Sequence, residues 1–150
     1  MKKYIYVFLS VIAAVSMFCA CDIETSDAGK FEGMWHLVRI DTLATGGVHD
    51  MSRERVYWSF QYKLMEADDR DNRYQSVLMR YSRRDGVLTL TNPFLYDREG
   101  GDKPINDETE KYLLTPYGIN GFTEDFQIVK VTGSKMQLQS SMLRLSFKKF

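Results

Sequence analysis

The stretch Arg55-Val-Tyr-Trp-Ser-Phe-Gln-Tyr-Lys-Leu64 decides the fold. Val56, Trp58, Phe60, Tyr62 and Leu64 alternate with Arg55, Ser59, Gln61 and Lys63, and only Tyr57 blurs the polar face. Period two is the signature of a strand with one buried side. The same period recurs on both sides. Upstream, Phe31–Ile40 is a strand candidate broken by Gly46-Gly47. Downstream, Tyr74–Ser82 places Val77, Met79 and Tyr81 on one face. Arg83-Arg84-Asp85-Gly86 then carries an Asp-Gly hairpin signal into Val87–Thr91. Glu66–Arg73 reads as a charged turn. Asn92–Glu110, with Pro93, Gly100, Gly101 and Pro104, reads as a long loop with room for one short strand at Phe94–Tyr96. Lys111–Thr115, Asp125–Thr132, Met136–Ser140 and an alternating Leu143, Leu145, Phe147 complete the series. No amphipathic helix of ten or more residues is legible after Lys30. About eight short strands at this spacing predict an all-β domain over residues 31–150. A sandwich or a closed up-and-down meander barrel fits, and closure has the attraction of removing exposed edges.

Composition narrows the function. The chain has 150 residues, enough for one domain, and its 20 basic and 20 acidic side chains cancel. Such a balance removes the electrostatic signature of a nucleic-acid binder. Met1–Ala20 differs from all that follows: Lys2 and Lys3 precede an apolar run from Tyr4 to Phe18 without a charge. That pattern is a secretory signal core, too short for a comfortable membrane span. The run ends in Phe18-Cys19-Ala20-Cys21, which resembles the lipobox of bacterial lipoproteins, although Phe18 stands where leucine is usual. The resemblance implies cleavage before Cys21 and acylation of its sulfur and amine with palmitate-type chains, a stable membrane anchor. The mature chain would have 130 residues, a formal charge of −2 and no remaining thiol. Residues 21–30 are polar and aperiodic and read as a flexible tether. Asp22, Glu24 and Asp27 in it serve equally as a sorting signal or as a solvated linker. The expected location is the bacterial envelope, the outer membrane preferred over the inner.

Phe31-Glu-Gly-Met-Trp-His-Leu37 resembles the G-x-W signature of the calycins, which include lipocalins and fatty-acid-binding proteins. The order of lipobox, tether, G-x-W strand and hairpins is similar to that of lipocalin-like lipoproteins common in Bacteroidetes. The resemblance implies a barrel in which Gly33 and Trp35 are structural, the tryptophan plugging one end. It also implies a basic residue from the last strand over that ring. Arg144 is the candidate, although alternation with Leu143 and Leu145 points it outward unless a bulge near Ser140-Ser141 intervenes. A non-catalytic function follows, binding of a small apolar ligand in a barrel cavity. Its lining would come from the inward set Leu37, Val56, Trp58, Phe60, Tyr62, Val77, Met79 and Tyr81. Arg39 continues the Trp35–Leu37 face and either pairs with a ligand carboxylate or lies beyond the rim in water. A filled barrel serving as a protein-interaction module of an envelope assembly is the alternative.

Catalysis and metals find little support in the residues. His36 and His49 are the only imidazoles, and no nucleophile turn frames either. A hydrolase would require one of them to meet a serine and a carboxylate. Asp68, Asp69, Asp71 and Asn72 resemble the start of a calcium loop but lack its glycine and distal glutamate, so a solvated turn is expected. No metal or cofactor is implied.

Overall fold

A computed structural model describes residues 29–150. The expected signal segment 1–20, Cys21 and most of the expected tether lie outside the described residues. Ten strands form one antiparallel sheet: β1 (Gly33–Thr42), β2 (Val48–Asp50), β3 (Val56–Gln61), β4 (Leu64–Asp69), β5 (Val77–Arg84), β6 (Val87–Leu95), β7 (Lys103–Pro104), β8 (Glu124–Val131), β9 (Lys135–Gln139) and β10 (Leu143–Lys149). Eight of them close in the order β1-β3-β4-β5-β6-β8-β9-β10, and β10 returns to pair with β1. The short β2 and β7 are added to β1 and β6. Closure leaves no edge in the ring for another chain to extend. The fold is the expected up-and-down meander barrel.

Several boundaries moved, each for a local reason. Residues 64–69 are strand β4 and no turn, because Met65, Ala67 and Asp69 alternate inward against β3 and β5. The short strand foreseen after Pro93 is the continuation of β6, which carries Asn92 and Pro93 through a bulge opposite Met79. Pro93 is tolerated there because its missing N–H falls at the irregularity. Lys111–Thr115 is not a strand. Asp107 accepts the Thr109 N–H at 2.8 Å and starts a 3-10 turn over Glu108–Leu113, and Pro116 sits in a second over Thr115–Tyr117. The three-residue period of that helix type brings Leu114 and Tyr117 inward together. Gly29 and Lys30, the end of the segment expected to be a tether, form a 3-10 turn with Phe31.

The barrel therefore has two distinct ends. At the entry end lie Gly29–Phe31, the hairpins 61–64, 84–87 and 131–135, and residues 148–150. At the capped end lie the 70–76 turn, the 140–142 turn and the long connection 96–123.

Candidate functional site

Most of the inward set forms a packed core. Leu37, Val56, Trp58, Val77 and Met79 are fully buried, Phe60 is 1% exposed and Tyr81 7%. Trp58 meets Phe126 and Phe147 at ring-centroid distances of 5.7 and 5.1 Å, and Phe60 meets Tyr81 at 5.2 Å. Side chains with no exposure border no void large enough for water. These rings occupy the axis at their own level.

Three expected site residues are placed elsewhere. Tyr62 is 70% exposed, because it stands in the two-residue turn between β3 and β4 with a left-handed φ of 54°. It contributes only its carbonyl, which accepts the Tyr81 hydroxyl at 2.6 Å. Arg39 points to solvent and pairs with Asp41 at 2.7 Å. The register of β1 shifts between Leu37 and Arg39, and that bulge reverses which residues face the core, so Ile40 packs inward instead. Arg144 lies across from Asp41, far from Trp35, and donates to Gln139 Oε1 at 2.9 and 2.7 Å. Ser140 and Ser141 form the β9–β10 turn and supply no bulge.

The basic partner of Trp35 is Lys149, whose Nζ sits 4.4 Å from the indole centroid and also bonds the Glu32 carbonyl. Lys149 is the direct cross-strand partner of Trp35. It shares the odd-numbered face of Leu145 and Phe147, a signal already present in the alternation. Burial lowers the Lys149 ammonium below its ordinary pKa. Trp35 is fully buried and donates its indole N–H to the Phe31 carbonyl at 2.8 Å. Gly33 adopts a φ of 96°, and a Cβ there would crowd Lys149 Nζ at 3.1 Å. Phe31, Trp35 and Lys149 together stopper the entry end.

The capped end is sealed by the long connection. Leu114, Tyr117 and Ile119 are fully buried. Trp58 donates to the Tyr117 carbonyl at 3.2 Å, and the Tyr117 hydroxyl donates to the Gln75 carbonyl at 2.9 Å. Burial, then the carboxylates of Asp68, Asp69 and Glu66, push the Tyr117 phenol well above its ordinary pKa, so it remains a neutral donor. Gly118 takes a φ of 78°, and a Cβ there would strike Leu145 at 2.7 Å.

Beside this cap lies an open cleft of about 260 Å³, with Pro93, Phe94, Pro104, Ile105 and Phe122 along its walls. Asn92, at its rim, holds a φ of 52°. Two residues from Phe122, the buried Nδ2 of Asn120 has no hydrogen-bond partner. An open concavity walled mainly by apolar side chains marks this as the candidate site. Sequence reading missed it because its walls come from a bulged strand and an irregular loop, neither of which is periodic.

The titratable groups considered earlier are engaged elsewhere. His36 Nε2 lies 2.6 Å from the Glu54 carbonyl, and His49 Nε2 lies 3.1 Å from the Glu54 carboxylate. Asp69 accepts from Arg73 Nε and Nη2 at 2.9 and 3.1 Å and from two backbone N–H groups. Burial alone would raise this carboxyl, but the guanidinium and those N–H groups outweigh it and hold the pKa below the usual range. Asp68 accepts from Ser76 and pairs with Arg70, and Asp71 pairs with Arg55. This carboxylate cluster organises the β4–β5 turn.

An eight-stranded meander barrel, stoppered by a G-x-W tryptophan beneath a lysine, is a calycin-type architecture. A family profile described as a lipocalin-like domain matches residues 16–150. The chain belongs to that family. Among solved structures, a lipocalin-like protein from Bacteroides uniformis is similar at 19% identity with a TM-score of 0.60, over 81% of this chain and 100% of that one. An uncharacterized protein from Bacteroides eggerthii gives 17% identity and a TM-score of 0.57, over 79% and 98%. At these identities the likeness is one of fold. Comparison with curated proteins gives no match.

Proposed function

We propose that this chain is a lipid-anchored, non-catalytic binding protein of the bacterial envelope, which takes a small, mainly apolar molecule in the cleft beside its cap. One contrast carries the reading. The axial side chains are packed against one another, whereas Pro93, Phe94, Ile105 and Phe122 border open space. A volume of about 260 Å³ lies near the low end for ligand pockets, which run from roughly 300 Å³ upward.

Titration with the hydrophobic dye ANS tests the site. The expected result is saturable binding that Thr123→Trp, which fills the cleft from an exposed wall position, weakens at least tenfold. Dye binding unchanged by that substitution would overturn the cleft as the site. A protein partner is the second reading, favoured by Leu43, Val48 and Met142, which are exposed at the capped end, with the Leu43 N–H bonded to the Met142 carbonyl at 2.9 Å. A wild-type chain that binds no dye would favour this second reading.

A further inference from the structure

The near-neutral chain separates its charge along the barrel axis. The entry-end segments 29–33, 61–64, 80–87, 130–135 and 148–150 hold nine lysines and arginines against two acids, Glu32 and Asp85. The capped-end segments 41–55, 68–76, 96–125 and 139–144 hold fourteen acids against eight lysines and arginines. Among the described residues only Arg39 and Glu66 fall outside this division.

The two ends also differ in how the charge is used. Arg55, Arg70, Arg73, Lys103 and Lys111 at the capped end each pair with a carboxylate. Among the described residues, Lys30, Arg84, Lys130, Lys135 and Lys148 form no such pair and are exposed. Between these cations, Tyr62, Leu64 and Phe150 expose apolar surface, and an open cleft of about 450 Å³ runs from Tyr62 and Lys63 to Arg83. Cations mixed with exposed aromatic rings suit the boundary between headgroups and acyl chains.

From these observations we infer that the entry end is a docking face for an anionic phospholipid surface, which holds the barrel upright with its capped end outward. The inference rests on the anchor reading for one element only, the position of the tether. Cys21 precedes Gly29 by eight residues, a reach of roughly 26–29 Å when fully extended. The seven to ten residues of β10 and β1 extend over a comparable length of roughly 23–33 Å. The tether therefore brings the cationic end to the bilayer first, where each cation near an anionic surface strengthens partition about fivefold.

Flotation of the full-length Cys21→Ala chain, which has no acylation site, tests the face separately from the anchor. Vesicles of phosphatidylcholine alone and of phosphatidylcholine with one quarter phosphatidylglycerol are compared at low and high salt. The expected result is preference for the phosphatidylglycerol vesicles that falls with salt. In the same background, Arg84→Gln/Lys130→Gln/Lys135→Gln should lose at least tenfold in partition while keeping its β-sheet circular dichroism. These are exposed positions, and the apolar leader is identical in both chains, so any leader insertion cancels. Equal partition to both vesicle types, or a triple variant that partitions like its parent, would overturn the docking face. Retention by heparin without phosphatidylglycerol preference would overturn the bilayer as partner. Failure of the wild-type chain to incorporate acyl label would remove the anchor reading and leave the vesicle comparison intact.

Discussion

The two ends of the barrel solve the same problem with different material. Each must cover a ring of strand ends without leaving buried polar groups unmet. At the entry end the stopper is local in sequence: Phe31 and Trp35 belong to the opening of the domain, and Lys149 reaches them across one strand pair. At the capped end the stopper is a long excursion between β6 and β8, held by the Trp58–Tyr117 and Tyr117–Gln75 hydrogen bonds. The first is part of the wall. The second is laid onto it, and a segment added in this way can open without dismantling the ring.

Trp35→Ala breaks this comparison most severely. Removing a fully buried tryptophan from the wall should cost about 3–5 kcal/mol, read as a lowered denaturant midpoint. Unchanged stability would mean that the G-x-W tryptophan is no stopper. Leu114→Ala in the cap should cost less, about 2–4 kcal/mol. Its signature is the sharper test, since amide exchange should accelerate over 105–122 while the β1–β10 seam keeps its protection. Loss of protection throughout the barrel would show that cap and wall form one cooperative unit.

Asp69 sharpens the capped end further. Asp69→Ala frees Arg73 and two backbone N–H groups and should cost about 2 kcal/mol at neutral pH. Because folding depresses this carboxyl's pKa, its contribution is present above the unfolded value, near 4, and is lost as pH falls through the folded value. The wild-type chain should therefore lose stability more steeply than the variant below about pH 4. Parallel acid-unfolding curves would remove the ion pair from the account.

The legibility of the sequence followed periodicity. Alternation from Val56 to Phe60 and from Leu143 to Phe147 gave the wall, its inward faces and the barrel, because one buried side imposes a period of two. It failed wherever one residue breaks that count. The β1 bulge sent Arg39 outward, and the positive φ of Tyr62 carried it off the wall. The Lys149 stopper was legible in principle, since it lies on the odd-numbered face of β10. The cap and its cleft were not legible, because 3-10 turns and a bulged strand draw their geometry from Asp107, Pro116 and Gly118 rather than from a repeat.

The seam between β1 and β10 has a consequence in time. It joins residues 33–42 to residues 143–149, so the two partners are separated by roughly 100 positions along the chain. A polypeptide emerging vectorially, from a ribosome or through a translocation channel, exposes β1 first and cannot zip the cylinder until the final strand arrives. The unfinished sheet stays open along one side throughout emergence, which makes ring closure the latest event and ties completion of the domain to release of its last residues.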